Sequence, residues 1–174
     1  MLAMLFEAKE VGELKRAVEA CGQLNVGLYP AQYDEFIQAL AEFMGGSVQS
    51  VDAFVTRVML VGVDSDGHNV MWLVGQSIGL LTVRGPGNDR DPPAVSGWVR
   101  SVLRIRQVEI RSAQFYRDPG TDTIVEVRPT VQIHFDDVIA EVSVAGRTDE
   151  FSRNQAAAFI RCVQAALAVP DRAS

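Results

Sequence analysis

The sequence predicts an α+β protein: an antiparallel sheet or roll of six to seven strands, closed by a C-terminal helix and preceded by an N-terminal helical hairpin. Three observations predict it. Residues 107–117, 123–135 and 138–145 are strand-like runs, separated by the Asp-rich turns Asp118-Pro119-Gly120-Thr121-Asp122 and Asp136-Asp137. The period then becomes helical, with Phe159, Ile160, Val163 and Leu167 on one stripe and Ala156 and Ala166 beside it. Two further helical stripes precede every strand-like run. A helix that exposes one apolar stripe must bury it, and for the last helix the nearest apolar surface is the sheet just before it.

Taken in order, residues 7–21 read as a helix. Leu14, Ala17, Val18 and Cys21 share a face, Glu7 and Glu10 occupy the first turn, and Gly22 is a C-terminal stop. Pro30 suits the first turn of a second helix. Its stripe is Tyr33, Phe36, Ile37, Leu40 and Met44, and Gly45-Gly46 ends it, so the pair reads as an αα-hairpin. Residues 47–63 fit two templates. Val48, Val51, Phe54, Val55 and Val58 suit a helix, whereas Val55, Met59, Val61 and Val63 suit a strand. β-branched enrichment and the turn Asp64-Ser65-Asp66-Gly67, with His68 in it, favour strand in the second half.

Residues 70–74 return as the hairpin partner, residues 75–79 make a turn or bulge, and residues 78–84 form a third strand. Residues 85–93, rich in Gly, Pro, Asn and Asp, must be an exposed loop. Val95, Trp98, Val99, Val102 and Leu103 recur at helical spacing, which predicts a short helix over residues 95–103. The organisation expected is a helical hairpin over 1–50 and an antiparallel domain over 51–170, joined in one continuous core.

The 174 residues suffice for one sizeable core. A composition of 48% hydrophobic and 22% charged residues is that of a globular chain. A formal charge of -6 argues against nucleic-acid binding by the surface as a whole. The apolar start Met1 to Phe6 lacks a positive flank and is too short for a signal-peptide core or a membrane span, so the expected place is the cytoplasm, with no membrane insertion. Cys21 and Cys162 read as two reduced core thiols.

Candidate chemistry yields to ordinary structure at each position. The stretch Asp64-Ser65-Asp66-Gly67-His68-Asn69 superficially suggests a calcium loop, but the twelfth position is Gly75 rather than Glu. The glycines of residues 85–93 lack the Lys-Ser/Thr of a phosphate loop, and Asp89 and Asp91 would repel phosphate. His68 and His134 have no spacing that suggests a metal site. Asp136 and Asp137, as neighbours on a strand, point to opposite faces and read as turn residues. No nucleophile elbow or Cys–His pair is present. The sequence therefore names no catalytic, cofactor-binding or metal-binding residue and implies no cofactor.

One charge feature stands out. Six arginines against four carboxylates lie between residues 98 and 128 of an acidic protein. Arg100, Arg104, Arg106 and Arg111 are the candidate partner-binding residues. Such a strip would receive an acidic peptide, an anionic head group or the acidic N-terminal region of another subunit.

From Phe54 onward the order of elements resembles a bacterial pleckstrin-homology-like domain. Three strands end by Arg84, a break follows, and three more strands lead through Ile133-His134-Phe135-Asp136-Asp137 to a closing helix with Phe159-Ile160. The resemblance covers about 120 residues and implies a non-catalytic interaction module whose partner is another protein or an acidic ligand. Phosphoinositide-binding domains of that kind use a basic loop between the first two strands. Here that loop is acidic, which disfavours lipid binding in that manner. The order of elements also resembles the small, acidic, dimeric chaperones of secreted proteins, which would make the chain a homodimer. An enzyme, the third reading, requires His134 and an acidic group to meet in a cleft.

Overall fold

Two runs, HNVMWLV and SIGLLTVR, carry apolar side chains at odd and even positions alike rather than only at alternate ones. A strand with that composition must be covered on both faces, and the fold covers both. The computed structural model describes residues 8–20, 27–45, 51–63 and 67–168. Helices α1 (Ala8–Ala20) and α2 (Pro30–Met44) form one layer. The first sheet is the middle layer, made of β1 (Ala53–Thr56), β3 (His68–Val74), β4 (Ser77–Arg84) and β5 (Ala94–Ser101) in the order β1-β3-β4-β5. The second sheet contains β2 (Met59–Leu60), β6 (Gln107–Arg117), β7 (Ile124–His134) and β8 (Ile139–Ser143) in the order β2-β8-β7-β6. Helix α3 (Glu150–Ala168) completes the third layer with it. All pairings are antiparallel.

Alternation along the middle strands divides the core in two. Phe54, Val70, Trp72, Leu81 and Val83 face the helical pair and meet Leu14, Val18, Tyr33, Phe36, Ile37 and Leu40. Val55, Met71, Leu73, Ile78 and Leu80 face the other way, against Val131, Ile133, Ala140 and Val142 of the second sheet and Phe159 and Val163 of α3. The helical pair therefore buries the outer face of the first sheet, and the stripe expected of the second helix is buried throughout. Gly45, at φ +80°, takes the left-handed position that ends α2.

Local polar contacts fix the joints. Arg147, 3% exposed, donates from Nε to the Ser143 carbonyl at 2.9 Å, from Nη1 to Ser152 Oγ at 2.8 Å and from Nη2 to the Thr56 carbonyl. One guanidinium thus joins β8, α3 and β1. Asp149 Oδ1 caps α3 by accepting from the Ser152 backbone N–H at 2.7 Å.

Several expectations change. Residues 95–103 are not a helix: they are edge strand β5 followed by a 3-10 turn over Val102–Arg104. Apolar residues on both faces of that strand imitate helical spacing, because Val95 packs toward the helical pair and Trp98 toward the main core. Leu167 is 38% exposed and lies off the buried stripe of α3, which is Ala156, Phe159, Ile160, Val163 and Ala166. His68 begins β3 instead of sitting in a turn. The strands number eight among the described residues, in two sheets. Residues 1–7, 21–26, 46–50, 64–66 and 169–174 lie outside the described residues, and with them the apolar start Met1 to Phe6, Glu7, Cys21, the Gly22 stop, Gly46, the ambiguous start at 47–50 and most of the Asp64 turn. Among the described residues no helix is long and apolar enough to cross a membrane.

Candidate functional site

The strand conformation of β5 sets Trp98 and Arg100 two residues apart on the same face. Ser101 then accepts a hydrogen bond from the Leu103 N–H at 3.2 Å and starts the 3-10 turn that places Arg104 beside them. The backbone N–H of Arg106 donates to the His134 carbonyl at 2.8 Å, which leads the chain into β6. Across from these arginines lies the β7–β8 turn with Phe135, Asp136 and Asp137. Val99, Arg100, Ser101, Arg104, Asp136 and Asp137 line a polar cleft of about 420 Å³.

Arg100 is held by three neighbours. Its guanidinium lies 4.2 Å from the Trp98 ring centroid and 5.6 Å from that of Phe135, and the two rings meet edge to face at 4.9 Å. It also grips both oxygens of Asp137, with Nη2–Oδ2 at 2.7 Å. This is the bidentate geometry that suits arginine and not lysine. Arg106 donates from Nε to Asp136. Arg104 lines the same cleft, is exposed, and makes no ion pair among the described residues.

Hydrogen bonds from Arg106 and Arg100 hold Asp136 and Asp137 respectively below the ordinary aspartate range. The two carboxylates thus diverge, each to its own arginine, and do not share a proton. Both arginines are raised in turn, each mainly by the hydrogen bond to its carboxylate.

Of the four arginines named from the sequence, the fold gathers Arg100, Arg104 and Arg106 at this corner. Arg111 lies along β6, where it donates to Glu109 at 2.8 Å. That hydrogen bond is the main cause of the lowered pKa of Glu109. His134 Nε2 is 3.2 Å from Glu109 Oε2 but lacks the direction of a hydrogen bond. Farther out, Arg128 lies 3.6 Å from the Tyr116 ring centroid and 2.6 Å from Glu126.

Trp98 and Phe135 are the members of the corner that sequence reasoning missed. Reading residues 94–101 as a strand would have found Trp98, since Trp98 and Arg100 at i and i+2 then share a side, whereas Phe135 is brought there only by the packing of the two sheets. The Gly-rich loop at 85–93 is exposed yet tied down: buried Gln32 donates from Nε2 to the carbonyls of Asn88 at 2.6 Å and Asp91 at 2.8 Å. Among the described residues no three His, Cys, Asp or Glu side chains converge as a metal site. Comparison with protein-family models, with curated proteins and with solved structures yields no match to this chain.

Proposed function

We propose that this chain is a non-catalytic interaction module that takes an acidic segment of another protein at the Arg100–Arg104–Arg106 corner. The observation that carries this reading is Arg104, a guanidinium without an ion pair in a cleft that Arg100 also lines, with Arg106 beside it through its pair with Asp136. Three arginines there face two aspartates, which leaves one positive charge on a protein of net charge -6. An incoming carboxylate meets Arg104 first. The Arg106–Asp136 pair, 67% and 51% exposed, is a solvated ion pair of the kind that exchanges partners at little cost. Arg100 stays clamped between Trp98 and Asp137 and serves as the fixed wall.

The test is a titration of a short Glu-rich peptide into the full chain, followed by calorimetry at low and high salt. Binding should weaken with salt and drop at least tenfold in Arg104→Glu/Arg106→Glu, with the circular dichroism of the fold retained. Equal affinity in that variant refutes the reading. The second reading, a dimeric chaperone, draws on a different observation: the exposed apolar side chains of the β6–β7 ribbon.

A further inference from the structure

β8 pairs with β7 only from Thr130 to His134, so beyond Thr130 strands β6 and β7 continue as a ribbon of two. Register assigns its faces. Ile110 is opposite Val131, on the side that enters the main core. The bulge between Ile110 and Ser112 shifts the parity of β6 by one residue, which keeps Ala113 with Pro129 and Phe115 with Val127 on that same side. The opposite side holds Gln114 with Arg128 and Tyr116 with Glu126. The ribbon is therefore amphipathic, and its apolar side runs out of the core with nothing over it. Ile110 is 64% exposed, Phe115 60% and Val127 49%. At the tip a second register shift, between Tyr116 and Arg117, sets Ile124 opposite Arg117 and leaves Val125 without a register partner, the two being 44% and 64% exposed.

We infer that this apolar side is a homodimer interface, covered by the same ribbon of a second copy of the chain about a two-fold axis. Three observations favour a second copy over another occupant. First, each of the three arginines on the ribbon is already matched to a carboxylate of the ribbon: Arg111 to Glu109, Arg117 to Asp122 and Arg128 to Glu126. Apart from Asp118 at the turn, the ribbon thus offers no unpaired charge by which to select a charged partner, and two copies meet along its length with little of the repulsion that a net charge of -6 imposes elsewhere. Second, the five side chains expose on the order of 500 Å², as large as the largest patch on an ordinary monomer. Doubled by symmetry, this comes to about 1,000 Å², the size at which a biological interface begins to be expected. Third, a two-stranded ribbon is marginal alone in water, and a second ribbon laid on its apolar side supplies the missing layer.

The experiment is sedimentation velocity on the full chain across a wide concentration range. The expected result is twice the mass of the 19.0 kDa chain. Phe115→Glu and Val127→Glu should each return the mass to that of one chain, with circular dichroism unchanged. Phe43→Glu, at a 56% exposed position on α2, should leave the dimer intact. A single-chain mass at every concentration overturns the inference, as does a dimer that survives both ribbon changes. Should either acidic variant misfold, Ile110→Lys tests the same surface from its inner end. The inference stands apart from the acidic-segment reading. A monomeric ribbon variant that still binds the Glu-rich peptide separates the two, because neither result depends on the other.

Discussion

Trp72 and Gly79 are register partners across β3 and β4, and the indole of Trp72 lies over the bare backbone of Gly79. A Cβ at Gly79 would collide with the ring. Trp72 is 2% exposed and belongs to the core beneath the helical pair, so the ring has no free space to yield. Gly79→Ala is expected to destabilise the fold by about 1–3 kcal/mol through overpacking. Denaturant unfolding checks it, with Gly12→Ala as the control, because a Cβ there meets nothing within 4 Å. An unshifted midpoint for Gly79→Ala would show that the indole has another place to go.

That pair also marks how far the sequence could be read. Alternating runs made the antiparallel sheets legible, and the stripes of Tyr33, Phe36, Ile37 and Leu40, and of Phe159 and Val163, made the helices legible. What remained hidden was the stacking order. Val70, Trp72, Leu81 and Val83 look redundant beside Met71, Leu73, Ile78 and Leu80 until a second apolar layer is laid on the sheet. The same two-sided burial disguised β5 as a helix. At the site, the charge balance pointed to Arg100, Arg104 and Arg106. The carboxylate partners of Arg100 and Arg106 lie 37 and 30 residues away in sequence, where only the closure of two sheets brings them near.

Gln32 is the clip between α2 and the loop at 85–93. Its Nε2 donates to two loop carbonyls, and its Oε1 accepts from the Tyr29 N–H at 3.1 Å. Gln32→Leu retains the volume but leaves those buried groups without partners. The expected loss is about 1–3 kcal/mol, together with faster protease cleavage and hydrogen exchange within residues 85–93. Unchanged exchange there would mean that Asn88, which accepts from the N–H groups of Arg90 and Asp91, holds the loop by itself.

Helix α3 separates two truncations that the sequence pattern treats alike. Phe159 is fully buried, while Leu167 is 38% exposed near the helix end. Phe159→Ala should cost about 3–5 kcal/mol as cavity and transfer losses add. Leu167→Ala should stay within about 1 kcal/mol, as expected of a partly solvated position. Equal shifts in the two denaturant midpoints would contradict the packing described.

The cleft predicts a pH dependence whose sign follows from its ion pairs. Asp136 and Asp137 titrate lower in the folded protein than in the unfolded chain, because Arg106 and Arg100 stabilise their charged forms. A group of that kind contributes stability above its unfolded pKa and loses that contribution as pH falls through its folded pKa. The contribution should therefore be constant near neutrality and decline only below about pH 4, where unfolded carboxylates take up protons. Both carboxylates are more than half exposed, so salt should weaken the effect as well. The measurement is the denaturant midpoint of the wild type and of Asp136→Asn/Asp137→Asn from neutral pH into the acid range. The midpoint of the wild type should lie above that of the variant at neutral pH, and the gap should close as pH drops. Glu109→Gln serves as the comparison, since Glu109 is also lowered, mainly by Arg111, at a position on β6 outside the cleft. A gap that persists unchanged below pH 4 would mean that the two aspartates act by packing rather than by charge, and Arg104 would then face no preformed charged cleft.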